Sequence, residues 1–267
     1  MNILHYSLML LAALTAGCTT NRFYTPNTMQ VPMLSGKNQA TVTAAAGISG
    51  KYTGWEAQAI YSPLNHVGLM FNHSDIRYDG SVVLTDPISS FFFETPYTGR
   101  ARLTEGGLGG YLQAGAHDEY LLSLFAGFGQ GRTRTEYTPP QDPPTTETYN
   151  AEWRVQRWFV QPALGMQFKR LQVGTGLRFA WVNYLDGSIN ARVGPLEVDR
   201  FQRLENFSPA FFTEMVWTIG WRFRSLVLSL NSTAVVRGSN TLRDLDLASN
   251  YVNIGLGIDL HALRKKK

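Results

Sequence analysis

Strict alternation of apolar and polar residues is the feature that most constrains how this chain folds. In the last candidate strand the apolar face comprises Val252, Ile254, Leu256, Ile258 and Leu260, and glycine and polar residues occupy the positions between them. Because successive side chains of a strand point to opposite faces, this period predicts strands with one apolar and one polar face. The same period recurs near 39–48, 55–62, 66–78, 100–115, 119–136, 157–168, 171–181, 211–223 and 225–231. We therefore predict an all-β, antiparallel up-and-down barrel of about ten strands, with eight or twelve as the alternatives.

The spacing of the connections indicates which way the two faces point. Short and long connections alternate along the chain. The short ones are 62–65, 116–118, 169–170 and Arg224, and the long ones are 79–99, 137–153, 185–208 and 237–249. The first connection on the long side, 51–54, is the one exception, because it is short. Short turns at one end and long loops at the other are typical of barrels that span the bacterial outer membrane. This pattern predicts an apolar face toward lipid, long loops outside the cell and both termini in the periplasm. A soluble, lipocalin-like barrel with the apolar face inside is the alternative.

Composition and aromatic spacing favour the membrane barrel. Charged residues make up 16% of the chain, below the roughly 25% of average globular proteins. Trp158 and Phe168 lie ten residues apart on the proposed outer face. Ten tilted strand residues rise about 25 Å, the height of the apolar band between aromatic girdles. Pro162 falls inside the same strand, where the loss of an N–H predicts a bulge.

The N-terminus carries an export signal. Residues 3–16 form an apolar run too short to span a bilayer as a helix, and Ala16 and Gly17 precede Cys18, the only cysteine. This segment resembles a bacterial lipoprotein signal, which implies cleavage before Cys18 and a covalent lipid on it. With the 23–27 and Val31-Pro32 stretches before the first strand, the chain resembles small outer-membrane β-barrel lipoproteins of Gram-negative bacteria. The resulting organisation is a signal peptide (1–17), a periplasmic tether (18–37), a barrel (38–263) and a basic tail (264–267).

The polar face of the barrel predicts a charged network in the lumen. Buried charges are costly unless they are paired, so inward carboxylates and guanidinium groups are expected to meet. The predicted network consists of Glu56, Glu105, Arg157, Arg178, Glu214 and Arg222. Inward glycines are expected to make room for these long side chains, and a barrel of this size is too narrow for a broad channel.

The long loops are the expected working surface, because rigid scaffolds tend to carry function on their loops. The predicted contact residues are Phe91, Phe92, Phe93 and Tyr97, a cluster that suggests contact with a partner. The alternative is that they fold over the mouth of the barrel or extend the strands above the membrane. The expected partners are outer-membrane lipids, with another outer-membrane protein or a surface glycan as further candidates.

The leading functional hypothesis is a non-enzymatic membrane scaffold that presents its loops to a partner or ligand. A narrow pore, a lipid-modifying enzyme and a ligand-binding lipocalin-like protein are the alternatives. Alternation places His73 and Ser74 on opposite faces, so no catalytic residue is assigned, and we expect no metal and no cofactor beyond the lipid on Cys18. Because the tail at 264–267 contributes four positive charges to a net charge of +4, we expect no nucleic-acid partner.

Overall fold

The computed structural model describes residues 27–29, 31–47, 52–85, 92–116, 119–137, 149–190, 209–237 and 251–260. The predicted ten-stranded, all-antiparallel barrel is confirmed. Its strands are β1 (Gln39–Gly47), β2 (Tyr52–Leu64), β3 (Val67–Thr85), β4 (Phe92–Ala114), β5 (Tyr120–Tyr137), β6 (Tyr149–Phe168), β7 (Leu171–Asn190), β8 (Ala210–Phe223), β9 (Leu226–Arg237) and β10 (Tyr251–Asp259).

The sheet closes on itself. Every strand pairs with its neighbours in sequence, and β1 pairs with β10, with Ala44 opposite Leu256. Closure pairs the first strand with the last, so the sheet has no terminal edge strand of the kind that promotes edge-to-edge aggregation. No helix among the described residues is long and apolar enough to cross a membrane.

Tight turns join the strands at one end of the barrel. His66, Lys169 and Arg224 have positive φ angles of 66°, 47° and 58° in the links from β2 to β3, β6 to β7 and β8 to β9. A residue in this left-handed region lets two antiparallel strands reverse within two residues. We call this the turn end, and the opposite end the loop end.

The strands reach further toward the loop end than the alternation predicts. The prediction of a loop over 79–99 is wrong for most of that range. β3 and β4 remain paired from Asp79 opposite Thr98 to Thr85 opposite Phe92. The reason is local composition, since Val82, Val83 and neighbouring residues favour strands although their polarity no longer alternates. β7 likewise continues to Asn190, into the predicted loop at 185–208.

The apolar face of the barrel points outward. Leu124, Trp158 and Leu256 are 56%, 56% and 55% exposed, whereas the polar side chains of Gln161 and Asn253 are fully buried. A soluble barrel has the opposite arrangement, so this direction is the one expected of a barrel surrounded by lipid.

Pro162 interrupts hydrogen bonding without the predicted bulge. On one side it lies opposite Leu124 of β5. On the other side the pairing of β6 with β7 stops at Val160 and resumes at Ala163 in the same register. The missing N–H of proline therefore interrupts the hydrogen-bond ladder between β6 and β7 locally, without the extra residue that a bulge would insert.

Candidate functional site in the barrel lumen

A cluster of two arginines and two glutamates lies at the centre of the lumen. Arg157 of β6 donates from Nε to Glu105 of β4 at 2.6 Å and from Nη1 to Glu214 of β8 at 3.0 Å. Arg178 of β7 bonds the same two carboxylates at 3.3 and 3.4 Å. All four side chains are fully buried. The cluster is electrically balanced, which is the condition under which charges tolerate removal from water.

Strand register explains why these four side chains meet. Arg178 lies directly opposite Glu214 on neighbouring strands. Glu105 and Arg157 are separated by β5, where Gly129 lies opposite both of them. A Cβ atom at Gly129 would lie 2.7 Å from Cγ of Glu105, so only glycine lets the two charged side chains meet across that strand.

Arg178 is held on two further sides. Its Nε and Nη2 donate to Oε1 of Gln161 at 3.1 and 2.8 Å. Its guanidinium carbon lies 4.7 Å from the centroid of the Phe159 ring, a distance at which a cation is attracted to the ring face. These contacts fix the arginine in one orientation.

The chain before β1 enters the lumen and completes the cluster. We call residues 27–29 and 31–34 the lumen segment. Asn27 is 1% exposed; its Nδ2 donates to Glu105 at 2.7 Å, and its Oδ1 accepts from Arg178 at 3.0 Å and also from Arg157. One amide therefore bridges both signs of charge, because it offers a donor and an acceptor.

Glu56 belongs to a second group, built around Thr28. The N–H of Thr28 donates to Glu56 at 2.8 Å, and its carbonyl accepts from Gln58 at 2.8 Å. Asn253 of β10 donates to Glu56 at 3.0 Å and also to the Thr28 hydroxyl. The backbone of the lumen segment thus obtains partners from the barrel wall on the side opposite the arginines.

Glycines in the wall make space for the apolar side chains of the lumen segment. A Cβ at Gly174 would lie 2.7 Å from Val31, and one at Gly165 would lie 2.7 Å from the sulfur of Met33. Met29 and Val31 pack with Ala163 and Val216 in a buried apolar cluster. Inward glycines are expected to make room for charged wall residues, but Gly165 and Gly174 make room for this segment instead.

The lumen segment leaves the barrel at the turn end and continues into β1. Gln39 Nε2 donates to the Met33 carbonyl at 3.4 Å, and its Oε1 accepts from the Ser35 hydroxyl at 2.9 Å. The backbone N–H of Asn38 donates to the Ser62 carbonyl at 2.7 Å. The stretch 18–37 is predicted to be a periplasmic tether. Of its described residues, 27–29 and 31–34 are instead packed in the lumen.

Aromatic side chains fill the lumen on the loop-end side of the charged cluster. The Tyr78 hydroxyl lies 2.8 Å from the Thr135 hydroxyl and 3.2 Å from that of Thr133. The prediction that Tyr97 is a loop contact is wrong. Its side chain is 2% exposed and lies inside the barrel, with its ring 6.3 Å from that of Tyr78. It points inward because β4 extends in register past this position. Other members of this layer are Tyr52, Trp153, Tyr184, Phe212 and Tyr251.

A small cavity with a mixed polar and apolar lining remains between the lumen segment and the wall near the turn end. Its volume is about 70 Å³, and Val31, Gln58, Gln172, Arg222 and Asn231 are among its lining residues. A space of this size, with polar groups in its lining, is large enough for a few water molecules. A second cavity, of about 260 Å³, lies at the turn-end mouth between Met33, Gln113, Glu119 and Gln167. At the level of the charged cluster, the described side chains and the lumen segment occupy the interior.

The remaining predicted residues lie elsewhere. Arg222 is not part of the central cluster; it lies near the turn end, 3.8 Å from Asp259 and 3.4 Å from Gln167. Phe92 and Phe93 belong to β4, while Phe91 and Cys18 lie outside the described residues. His73 faces outward, 2.8 Å from the Thr104 hydroxyl, and the adjacent Ser74 is buried, so β3 separates the two.

Comparisons with known proteins give structural neighbours only. Neither a protein-family model nor a curated protein matches the chain. The outer membrane protease OmpT from Escherichia coli matches with a TM-score of 0.48 and 10% identity, over 84% of this chain and 94% of that one. A major outer membrane protein from Thermus thermophilus matches with a TM-score of 0.44 and 12% identity, over 83% and 99%. The translocator domain of autotransporter NalP from Neisseria meningitidis has a TM-score of 0.42 and 11% identity, over 83% and 86%.

These neighbours are outer-membrane barrels with different activities. At such TM-scores and identities they do not bear on catalysis, transport or partners of this chain. The barrel itself is established by the strand pairing described above.

Proposed function

We propose that this protein is an outer-membrane β-barrel lipoprotein that acts as a non-conducting scaffold and presents long loops outside the cell. The observation that carries the proposal is the filled lumen. Two balanced arginine–glutamate pairs, the lumen segment and a layer of aromatic side chains occupy the barrel interior. A protein that moved solutes through this barrel would first have to displace buried, hydrogen-bonded groups, each of which is costly to leave unpaired.

The outer-membrane part of the proposal is supported by the outward apolar face and by the arrangement of the connections. Tight turns occupy one end of the barrel, and the stretches 86–91, 138–148, 191–208 and 238–250 all connect strands at the other. In bacterial outer-membrane barrels the longer connections face the outside. Acylation of Cys18 would add a lipid anchor to the spanning barrel.

Conductance tests the scaffold proposal against the pore alternative. The mature chain, inserted in a planar phospholipid bilayer, is expected to give no unit conductance steps. Deletion of residues 27–34 removes the lumen segment but leaves the four paired side chains and the aromatic layer in place, so this variant is also expected not to conduct. Unit conductance steps by the intact chain would support a pore and contradict the proposal.

Surface labelling tests the display of the loops. Asp142→Cys places a thiol in a long connection, and Arg170→Cys places one in a tight turn. A membrane-impermeant maleimide applied to intact cells is expected to label the first variant, and the second only after lysis. The reverse pattern would mean that the long connections face the periplasm.

A further inference from the structure

Three arginines form a row on the outer wall of the barrel. Arg102 of β4 lies directly opposite Arg132 of β5, which lies directly opposite Arg154 of β6. Like charges facing each other across strands destabilise a sheet. The row is therefore an unfavourable arrangement unless it has anionic partners.

The three side chains surround a groove in the wall. His73, Thr104, Gln130 and Gln156 contribute polar groups to it. The groove thus combines positive charge with hydrogen-bond donors, the combination that binds phosphate groups. No carboxylate residue lines it in the part of the chain that the structure describes.

Each arginine of the row already has a carboxylate neighbour outside the groove. Asp75 lies 3.0 Å from Arg102 and also binds Arg100, Glu152 lies 3.6 Å from Arg132, and Asp186 pairs with Arg154. The three arginine side chains are 56%, 71% and 58% exposed. Exposed ion pairs contribute little to stability, so a phosphate of higher charge can compete for the guanidinium groups.

The height of the row on the barrel points to the source of the phosphate. Phe128 and Trp158, whose rings are 4.5 Å apart, close the apolar belt on β5 and β6. Arg132 and Arg154 lie four residues beyond them toward the loop end. Four tilted strand residues rise about 10 Å, which places the guanidinium groups at the level of lipid headgroups.

We infer that the groove between Arg102, Arg132 and Arg154 binds the phosphate headgroup of an anionic membrane lipid on the loop-end side of the bilayer. The inference rests on the proposed membrane-spanning placement. The row spans about 10 Å across three strands, which suits a lipid with a phosphate monoester or with more than one phosphate. The outward direction of the groove favours a lipid over a phosphate dissolved in water.

Native mass spectrometry of the full chain in detergent tests this inference. The probe is dioctanoyl phosphatidic acid, and dioctanoyl phosphatidylcholine and inorganic phosphate serve as comparison ligands. The variant Arg102→Gln/Arg132→Gln/Arg154→Gln is expected to bind phosphatidic acid about 100-fold more weakly, since each arginine near a headgroup contributes about one kcal/mol. The variant Lys169→Gln/Arg170→Gln/Arg224→Gln removes equal charge at the turn end and should retain the affinity.

Three results would overturn the inference: equal loss in both triple variants, equal binding of phosphatidylcholine, or binding of inorganic phosphate as tight as that of the lipid. Faster gel mobility of unheated samples shows whether each variant is folded. If the first triple variant does not fold, Arg132→Gln alone should weaken binding about fivefold. If the intact chain folds but does not bind the lipid, the proposed lipid site is wrong, whereas the proposed scaffold function is unaffected.

Discussion

Removing one charge from the central cluster should destabilise the barrel strongly. Glu105→Gln keeps the shape of the side chain but leaves Arg157 and Arg178 with one carboxylate between them. Glu105 accepts hydrogen bonds from both arginines and from Asn27, at 2.6, 3.3 and 2.7 Å. A glutamine can accept only through one oxygen, and its amide group would face another donor. Breaking a buried ion pair from one side costs about 3–5 kcal/mol, a factor of at least about 100 in the unfolding equilibrium.

The matched control is Glu136→Gln. Glu136 pairs with Arg134 at 2.9 Å, but the two side chains are 41% and 54% exposed. An exposed pair of this kind contributes about 0–1 kcal/mol. The difference between the two variants therefore isolates the effect of burial on the same chemical change.

The assay is urea unfolding of the protein in phospholipid vesicles, with folded and unfolded fractions read from the mobility of unheated samples on a gel. The double variant Glu105→Gln/Arg157→Met should lose less stability than the sum of its two single variants, because the residues interact directly. Equal effects of Glu105→Gln and Glu136→Gln, both within about 1 kcal/mol, would refute the claim that the cluster is a buried, ion-paired unit.

Three further substitutions test the wall and the lumen. Gly174→Val should lower the free energy of unfolding by about 1–3 kcal/mol because the new side chain would meet Val31. Gly106→Val should not, since a Cβ there meets only the Met70 carbonyl oxygen, at 4.0 Å. Equal effects of the two variants in urea titrations would contradict the fit of the lumen segment. Leu124→Arg, in the middle of the outward belt, should cost about 2–4 kcal/mol in vesicles, and no loss would argue against contact with lipid. Tyr78→Phe should cost about 1 kcal/mol by removing the hydroxyl from its threonine partners, and an unchanged urea midpoint would contradict that contact.

The alternation of residue types predicts the existence of the ten strands and which residues share a face, while the spacing of the connections predicts which face points outward. Arg157 and Arg178 lie at inward positions of β6 and β7, and the structure places them there. Alternation gives the face of each residue but not its height relative to other strands. Register between strands decides which inward or outward residues become neighbours, and no local sequence pattern encodes it. Register places Arg222 away from the cluster and Arg102 opposite Arg132.

The lumen segment could not be predicted from periodicity, because its backbone forms no strand and its partners come from several different strands. One signal is present in the sequence. Met29, Val31, Met33 and Leu34 form an apolar run in a stretch that is expected to lie in water, and such side chains are usually buried. The wrong prediction for Tyr97 has a different cause. The alternation of polar and apolar residues stops before this position, although the strand continues through it.

Extraction of a Cys18→Ala variant, exported with a cleavable signal peptide, tests the central claim most directly. Without its lipid, the protein should still require detergent to leave the membrane, and unheated samples should run faster on a gel than boiled ones, because the barrel itself spans the bilayer. Release of a folded, soluble protein in the absence of detergent would contradict this account and show that the outward apolar face is covered by something other than lipid.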